Sequence, residues 1–205
     1  MTNARDDRTL QFYASESAAY AARSDAIGPS KKLAAFLERL QPGARVLDLG
    51  CGAARDTEAM IAAGFDATAV DGNAEMAAEA EKRLSRPVRV LLFEDLDYVE
   101  AFDGIWANAS LLHVPRAGLV DVLTRVHRAL KPGGLLFASF KSGGLEGRDR
   151  FGRYYNYLEA DEATFAQIEA LFGTFCRMPQ NKLSHFHLQF PSGRPGFPLN
   201  QLFAQ

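Results

Sequence analysis

A short apolar run that stops on two closely spaced glycines constrains this chain more than any other feature. Arg45-Val46-Leu47-Asp48-Leu49 is a short run with an apolar Val46, Leu47 and Leu49, which suits a buried strand of a parallel sheet. Gly50-Cys51-Gly52 breaks it, and Arg55 to Ala63 returns to helical composition until Gly64 ends that helix. The alternation then repeats. Strands are expected over about Asp66 to Val70, closing on Asp71, and over Val88 to Phe93, Phe102 to Asn108 and Leu135 to Phe140. Helices are expected over Ala74 to Leu84 and Gly118 to Leu130, with Lys131-Pro132-Gly133-Gly134 turning the chain into its fifth strand. An amphipathic helix from Ser30 to Leu40 precedes the first strand, with Leu33, Phe36, Leu37 and Leu40 on one face.

Strand and helix alternating every roughly 20 to 30 residues predict an α/β fold: a single Rossmann-like doubly wound sheet, mostly parallel, with helices on both faces. The C-terminal part reads differently. Ser142 to Arg153 is Gly- and charge-rich and reads as a long mobile loop. Asp161 to Phe172 reads as a helix capped by Asp161. Phe172 to Met178 and Ser184 to Phe190 read as two last strands, a hairpin supplying an antiparallel edge strand. The proline-bearing end reads as a poorly ordered tail. One domain over 1–205 is expected, with a leading segment 1–29, a core 30–190 and the tail 191–205.

Composition limits the partners. The chain has 205 residues, 47% of them hydrophobic and 23% charged, enough apolar matter for one sizeable core. A formal net charge of -2 offers no basic surplus, so no nucleic-acid partner is expected. Cys51 and Cys176 form neither a disulfide framework nor a metal-ligand pattern, so no metal is expected and a reducing compartment is the simpler reading. The charged N-terminus has no apolar signal segment, and no apolar run is long enough to span a membrane. A cytoplasmic protein, monomer or homodimer, is the expectation.

In open α/β sheets ligands gather at the carboxyl ends of the strands. There, Gly50 and Gly52 let the backbone approach a ligand closely, and Asp71 follows Asp48 by 23 residues, where a carboxylate would accept from two ribose hydroxyls. A nucleoside ligand follows. A dinucleotide fingerprint needs a glycine where this chain has Arg55, which argues against a nicotinamide or flavin dinucleotide. S-adenosylmethionine carries no phosphate and needs only the glycine turn, the ribose acid and an apolar adenine slot.

These segments carry a resemblance. VLDLGCGAARD resembles the first motif of class I S-adenosylmethionine-dependent methyltransferases, AVDGNAEM is similar to their second, and FEDLD stands in the place of their adenine-binding third. FDGIWANASLLHVP and LKPGGLLFASF resemble the segments around their fourth and fifth strands, so the match runs in order from about Val46 to Phe140. With GRYYNYL, the pattern looks closest to the small bacterial tellurite-resistance-like branch. Ala54 departs from the family's usual third loop glycine, and Phe93-Glu94-Asp95-Leu96 departs from its third motif.

The resemblance implies S-adenosylmethionine as cofactor, S-adenosylhomocysteine as product, a small-molecule acceptor, and an N-terminal helical lid carrying Tyr13 and Tyr20. Aromatic faces attract a sulfonium; the alternative for both tyrosines is packing against the sheet. Arg23 could reach the cofactor carboxylate. Arg55 would pair with that carboxylate or with Asp56. Asp48 would organise the loop or reach the cofactor's amino group through water. Cys51 lies in the turn without redox chemistry, Gly72 follows the ribose acid, and Met76 lines the nucleoside or belongs to the core. The adenine amino group would meet Glu94 or, preferably, Asp95, with Leu96 beside it. Asn108 and Ala109 would contribute by backbone. His113 would be a general base, a pocket wall or a helix cap. Lys141, Arg148, Arg150, Arg153, Tyr154 and Tyr155 would gather an oxygen-rich acceptor or form a solvated loop. Methyl transfer needs alignment more than a catalytic triad, and none is present. The rival readings are a non-catalytic binding module for the same cofactor and a NAD-dependent oxidoreductase.

Overall fold

The computed structural model describes residues 4–141, 143, 146–157, 175–178 and 183–189. Helix α1 (Asp7–Ile27) comes first, its N-terminus capped by the Asp6 carboxylate, which accepts from the Thr9 amide at 2.9 Å. Then follow α2 (Lys31–Leu37), β1 (Arg45–Leu49), α3 (Arg55–Ala62), β2 (Asp66–Asp71), α4 (Ala74–Leu84), β3 (Arg89–Val90), β4 (Phe102–Ala107), α5 (Arg116–Ala129) and β5 (Leu130–Lys141). Short strands β6 (Glu146–Arg148) and β7 (Tyr154–Asn156) form a separate hairpin, and β8 (Phe175–Met178) and β9 (Leu183–Gln189) return to the main sheet.

That sheet has the order β3-β2-β1-β4-β5-β9-β8. The ladders from β3 through β5 are parallel, and β9 pairs antiparallel with both β5 and β8. The fold is therefore the Rossmann-like doubly wound sheet that the alternation implies. Its one reversed strand, β9, lies a step inside the edge, because the hairpin puts β8 outermost.

Alternation along the strands explains why both faces are covered. Val46, Trp106, Leu135 and Phe137 turn to the face that α2 and α3 cover with Leu33, Phe36 and Met60. Leu47, Leu49, Ile105, Ala107 and Leu136 turn to the other, where α5 supplies Leu119, Val122, Leu123 and Val126. Trp106 stacks on Phe137 with ring centroids 3.9 Å apart, so the centre of the sheet is tightly filled below the cavity.

Three expectations need correction. β3 keeps only Arg89–Val90 of the expected Val88 to Phe93, and Phe93–Asp95 forms a 3-10 turn. The Lys131-Pro132-Gly133-Gly134 turn lies within β5, whose register against β4 jumps from Phe102↔Leu130 to Gly104↔Leu135. The expected loop at 142–153 holds β6 and then a turn closed by Gly152 N donating to Asp149 O at 2.9 Å. The helix expected at Asp161 to Phe172 and the tail lie outside the described residues. No helix among the described residues is long and apolar enough to cross a membrane.

Candidate functional site

The strand order reverses between β1 and β4, and at the carboxyl ends of these strands lies a cavity of about 320 Å³. That is the expected position for a ligand in an open α/β sheet. Its floor is the β1–α3 turn. Gly50 N and Cys51 N both donate to Val70 O, at 2.9 and 3.0 Å, which ties the ends of β1 and β2 together. Gly52 N donates to Asp71 Oδ2 and Asn73 N to Asp71 Oδ1, each at 2.9 Å. The Asp71 carboxylate is thus fixed in plane by two backbone amides. Burial raises its pKa to about 6, the two amides acting in the opposite direction.

Gly50 is required by what covers it, and Gly52 is favoured by its left-handed backbone. At Gly50 a Cβ would stand 2.5 Å from Ser110 Cβ, and Gly52, at φ 57°, lies under Tyr20 and Met76. Ala54, in place of a third glycine, also adopts the left-handed region at φ 57°, a conformation costing about 1 kcal/mol for a residue with a Cβ.

Two further carboxylates line this wall. Asp48 is 3% exposed and accepts from Thr57 Oγ1 at 2.6 Å. Burial, reinforced by neighbouring Asp56, pushes its pKa to about 8. Asp56 accepts from the Arg55, Trp106 and Asn108 side chains and from the Ser30 amide. Cys51 is half-buried, and burial pushes its thiol well above the usual value, which keeps it protonated.

Helix α1 closes the cavity from above, presenting Asp6, Thr9, Leu10, Tyr13, Tyr20 and Ser24 to it. Asn73, which caps α4 through Met76 N, also donates from Nδ2 to Leu10 O at 3.0 Å and so holds the lid to the floor. Tyr13 Oη lies 3.0 Å from His113 Nε2, and His113 Nδ1 lies 2.6 Å from Tyr154 O. A carbonyl can only accept, so Nδ1 carries the proton and Tyr13 donates to Nε2. Burial depresses the His113 pKa to about 4, leaving a neutral ring. Arg153, beyond β6, donates to Tyr13 Oη at 3.3 Å and pairs with Asp149.

Of the residues singled out in the sequence, Tyr13, Tyr20, Asp48, Gly50, Cys51, Gly52, Arg55, Asp71, Gly72, Met76, Asn108, Ala109 and His113 all line the cavity. Three do not. Arg23 is mostly exposed beside Glu16, Asp95 is exposed, and Leu96 is fully buried in the core; Glu94, with Leu92 and Phe93, forms that wall. Asp56, Trp106 and Ser110 line the cavity without a local sequence signal, since what places them is packing across the sheet. The Asn108 side chain is occupied by Asp56 and Ser139, which leaves its backbone for a ligand. Lys141 and Arg153 lie over the Tyr155 ring outside the cavity lining.

Fold and cavity together define a Rossmann-like domain with a nucleoside-sized site at its switch point. Residues 46–134, from β1 into β5, match the family model described as "Methyltransferase domain". The chain is 36% identical over 152 residues to the ubiquinone biosynthesis O-methyltransferase of Xanthomonas axonopodis pv. citri, covering 64% of this chain and 63% of that protein. It is 34% identical over 160 residues to the enzyme of the same name from Xylella fastidiosa, covering 68% and 64%. The chain thus spans less than two thirds of these curated relatives. In structure it is similar to Burkholderia thailandensis 1,6-didemethyltoxoflavin-N1-methyltransferase, solved with 1,6-didemethyltoxoflavin and S-adenosylhomocysteine bound. The TM-score is 0.70 at 23% identity, over 91% of this chain and 88% of that one.

Proposed function

We propose that this chain is an S-adenosylmethionine-dependent methyltransferase, one domain over 1–205, that methylates a small-molecule acceptor by in-line displacement and yields S-adenosylhomocysteine. One observation carries the reading: the glycine turn, the doubly anchored Asp71 and the two α1 tyrosines converge on a single cavity at the switch point.

The donor set fits this cofactor. Asp71 has lone pairs left for two ribose hydroxyls. Glu94, in place of Asp95, takes the adenine amino group, and Arg55 takes the carboxylate. Asp48 and the backbone carbonyls of Asn108 and Ala109 serve the ammonium group. Gly50, Cys51, Gly52 and Gly72 contribute backbone, and Met76 packs over the turn with Tyr20. When bound, the cofactor supplies a methyl carbon activated by its positive sulfur.

The chain's own part is alignment and exclusion of water. Helix α1 covers the cavity, and the faces of Tyr13 and Tyr20 favour a positive centre. His113, the base in this reading, meets the cavity through the Tyr13 hydroxyl, and a proton from the acceptor passes along that hydrogen bond to Nε2. A ring with a pKa near 4 holds a proton weakly, which suits acceptors that ionise readily.

The relatives point to oxygen acceptors and the solved structure to a ring nitrogen. The GRYYNYL resemblance points to the tellurite-resistance-like branch, in a cytoplasmic monomer or homodimer. Acceptor assays should therefore include phenols, N-heterocycles and tellurite; methyl transfer to any of them rejects a mere binding module. The first test is thermal unfolding with S-adenosylmethionine, S-adenosylhomocysteine and NAD added separately. The first two should raise the midpoint and NAD should not. Asp71→Ala removes two charge-assisted hydrogen bonds and should weaken S-adenosylhomocysteine about 100-fold. Stabilisation by NAD alone would overturn the assignment.

A further inference from the structure

Asp56 gathers four donors from three segments of the chain. Its Oδ1 accepts from Ser30 N at 2.9 Å and Arg55 Nε at 3.0 Å, and its Oδ2 from Trp106 Nε1 at 3.0 Å and Asn108 Nδ2 at 3.2 Å. A carboxylate offers about four lone-pair sites, so this one is saturated by the chain itself and has nothing left for a ligand. Asp56 is buried, yet it lines the cavity beside the glycine turn.

Two of those bonds control groups that face the ligand. The Nε bond fixes the plane of the Arg55 guanidinium. Apart from Asp56, that guanidinium has no hydrogen-bond or ion-pair partner among the described residues, and Arg55 lines the cavity with its side chain 22% exposed. The Nδ2 bond fixes Asn108, whose Oδ1 accepts from Ser139 Oγ at 3.1 Å. The same Oγ accepts from Ala109 N at 2.6 Å. Ala109 stands in the left-handed region at φ 55°, so the turn after β4 is held in a conformation that a residue with a Cβ adopts at some cost. One carboxylate therefore sets both the guanidinium on α3 and the backbone turn that follows β4.

We infer that Asp56 is the positioning residue for the amino-acid end of the ligand, aiming the Arg55 guanidinium at a ligand carboxylate and setting the 108–109 backbone for the adjoining ammonium. The inference rests on the S-adenosylmethionine reading. It predicts a division within the ligand: the carboxylate and ammonium depend on Asp56, and the nucleoside, held by Asp71 and the 92–94 wall, does not.

The experiment compares titration calorimetry of S-adenosylhomocysteine and of 5′-methylthioadenosine, which keeps the nucleoside and lacks the amino-acid portion. Asp56→Asn keeps the size of the side chain but turns an amide N–H₂ toward N–H donors. It should weaken S-adenosylhomocysteine at least about tenfold and 5′-methylthioadenosine less than about twofold. Combined with Arg55→Met, the substitution should cost S-adenosylhomocysteine less than it does alone, because both remove the same contact. Should Asp56→Asn not fold, Asn108→Ala removes one donor without touching the core and should show the same division at smaller size. Equal loss of both ligands would mean that Asp56 only supports the fold, and no loss would mean that it positions nothing; either overturns the inference while leaving the cofactor reading intact. If the unaltered protein bound neither ligand, the cofactor reading would fall and the inference with it.

Discussion

The floor of the cavity and its lid are held by opposite means. Floor contacts are close in sequence, and two of these three engage backbone amides: Gly52 to Asp71 spans 19 positions and Asn73 to Asp71 spans 2, while the side-chain bond of Thr57 to Asp48 spans 9. Lid contacts are side-chain contacts between distant segments: Tyr13 to His113 spans 100 positions, Arg153 to Tyr13 spans 140 and Arg148 to Asp6 spans 142. The floor gathers three carboxylates, Asp48, Asp56 and Asp71. The lid is pinned at a few polar points, and these can release together when a ligand enters.

Their titrations oppose each other as well. Asp48 and Asp71 have folded pKa values near 8 and 6, above the usual 3.8, so the folded chain takes up protons that the unfolded chain has lost. Their contribution to stability is present in acid and is lost as pH rises, through about 6 for Asp71 and about 8 for Asp48. His113, with a folded value near 4 against 6.5, behaves in reverse: its contribution is present above 6.5 and lost as pH falls through 4. The largest expected effect follows from the floor. Asp48→Asn removes a buried charge and should stabilise the ligand-free protein by at least about 2 kcal/mol at alkaline pH, the gain fading toward acid. Denaturant melts across the pH range measure it, and a gain independent of pH would show that the floor carries no such burden.

This contrast also decides what could be read from the sequence. The floor was legible because strand, glycine turn and ribose acid follow each other in a fixed order, and β1, α4 and the span of β2 fall where the pattern puts them. β3 was overextended because Leu91 is apolar for the core, and Leu92 and Phe93 for the cavity wall, rather than for a strand ladder. The same wall explains Glu94 against Asp95: a 3-10 turn decides which acid faces inward, and composition does not report it. The β6–β7 hairpin was missed because its glycines and charges look like a solvated loop, although Asp149 and Gly152 form its turn and Tyr155 is buried. That α1 is a lid came from resemblance; its apolar residues are mostly alanine, and no local pattern names His113 or Arg148 as its partners.

Tyr13→Phe tests the lid alone. It removes the donor to His113 Nε2 and the acceptor for Arg153 while keeping the ring that faces the cavity. A buried nitrogen left without its partner costs about 1–3 kcal/mol, so lid opening should become about tenfold more frequent, read as faster hydrogen exchange across α1. S-adenosylhomocysteine affinity should stay within about threefold, because the floor is untouched and the ring is retained. A loss of affinity as large as that of Asp71→Ala would show that floor and lid are one structure.

Arg148→Ala should have the smallest effect, although the ion pair it breaks has the better geometry. Arg148 Nη2 lies 2.6 Å from Asp6 Oδ2 and Nη1 lies 3.0 Å from Oδ1, a two-bond fork that holds the Asp6 pKa near 2. Its contribution is present above the usual carboxylate value and is lost as pH falls toward 2. But the arginine is at the surface, 35% exposed, where water and salt screen the pair. Exchange in the first turn of α1 should therefore rise by less than about threefold, and added salt should bring the unaltered protein close to the variant. What separates Arg148 from Tyr13 is the support that remains: Tyr13→Phe leaves His113 Nε2 unpaired in the interior, whereas the Asp6 carboxylate, 12% exposed, still accepts from Thr9 N and Thr9 Oγ1. If Arg148→Ala loosened α1 as much as Tyr13→Phe does, and did so independently of salt, the lid would be held by its charged hairpin and not by the buried tyrosine.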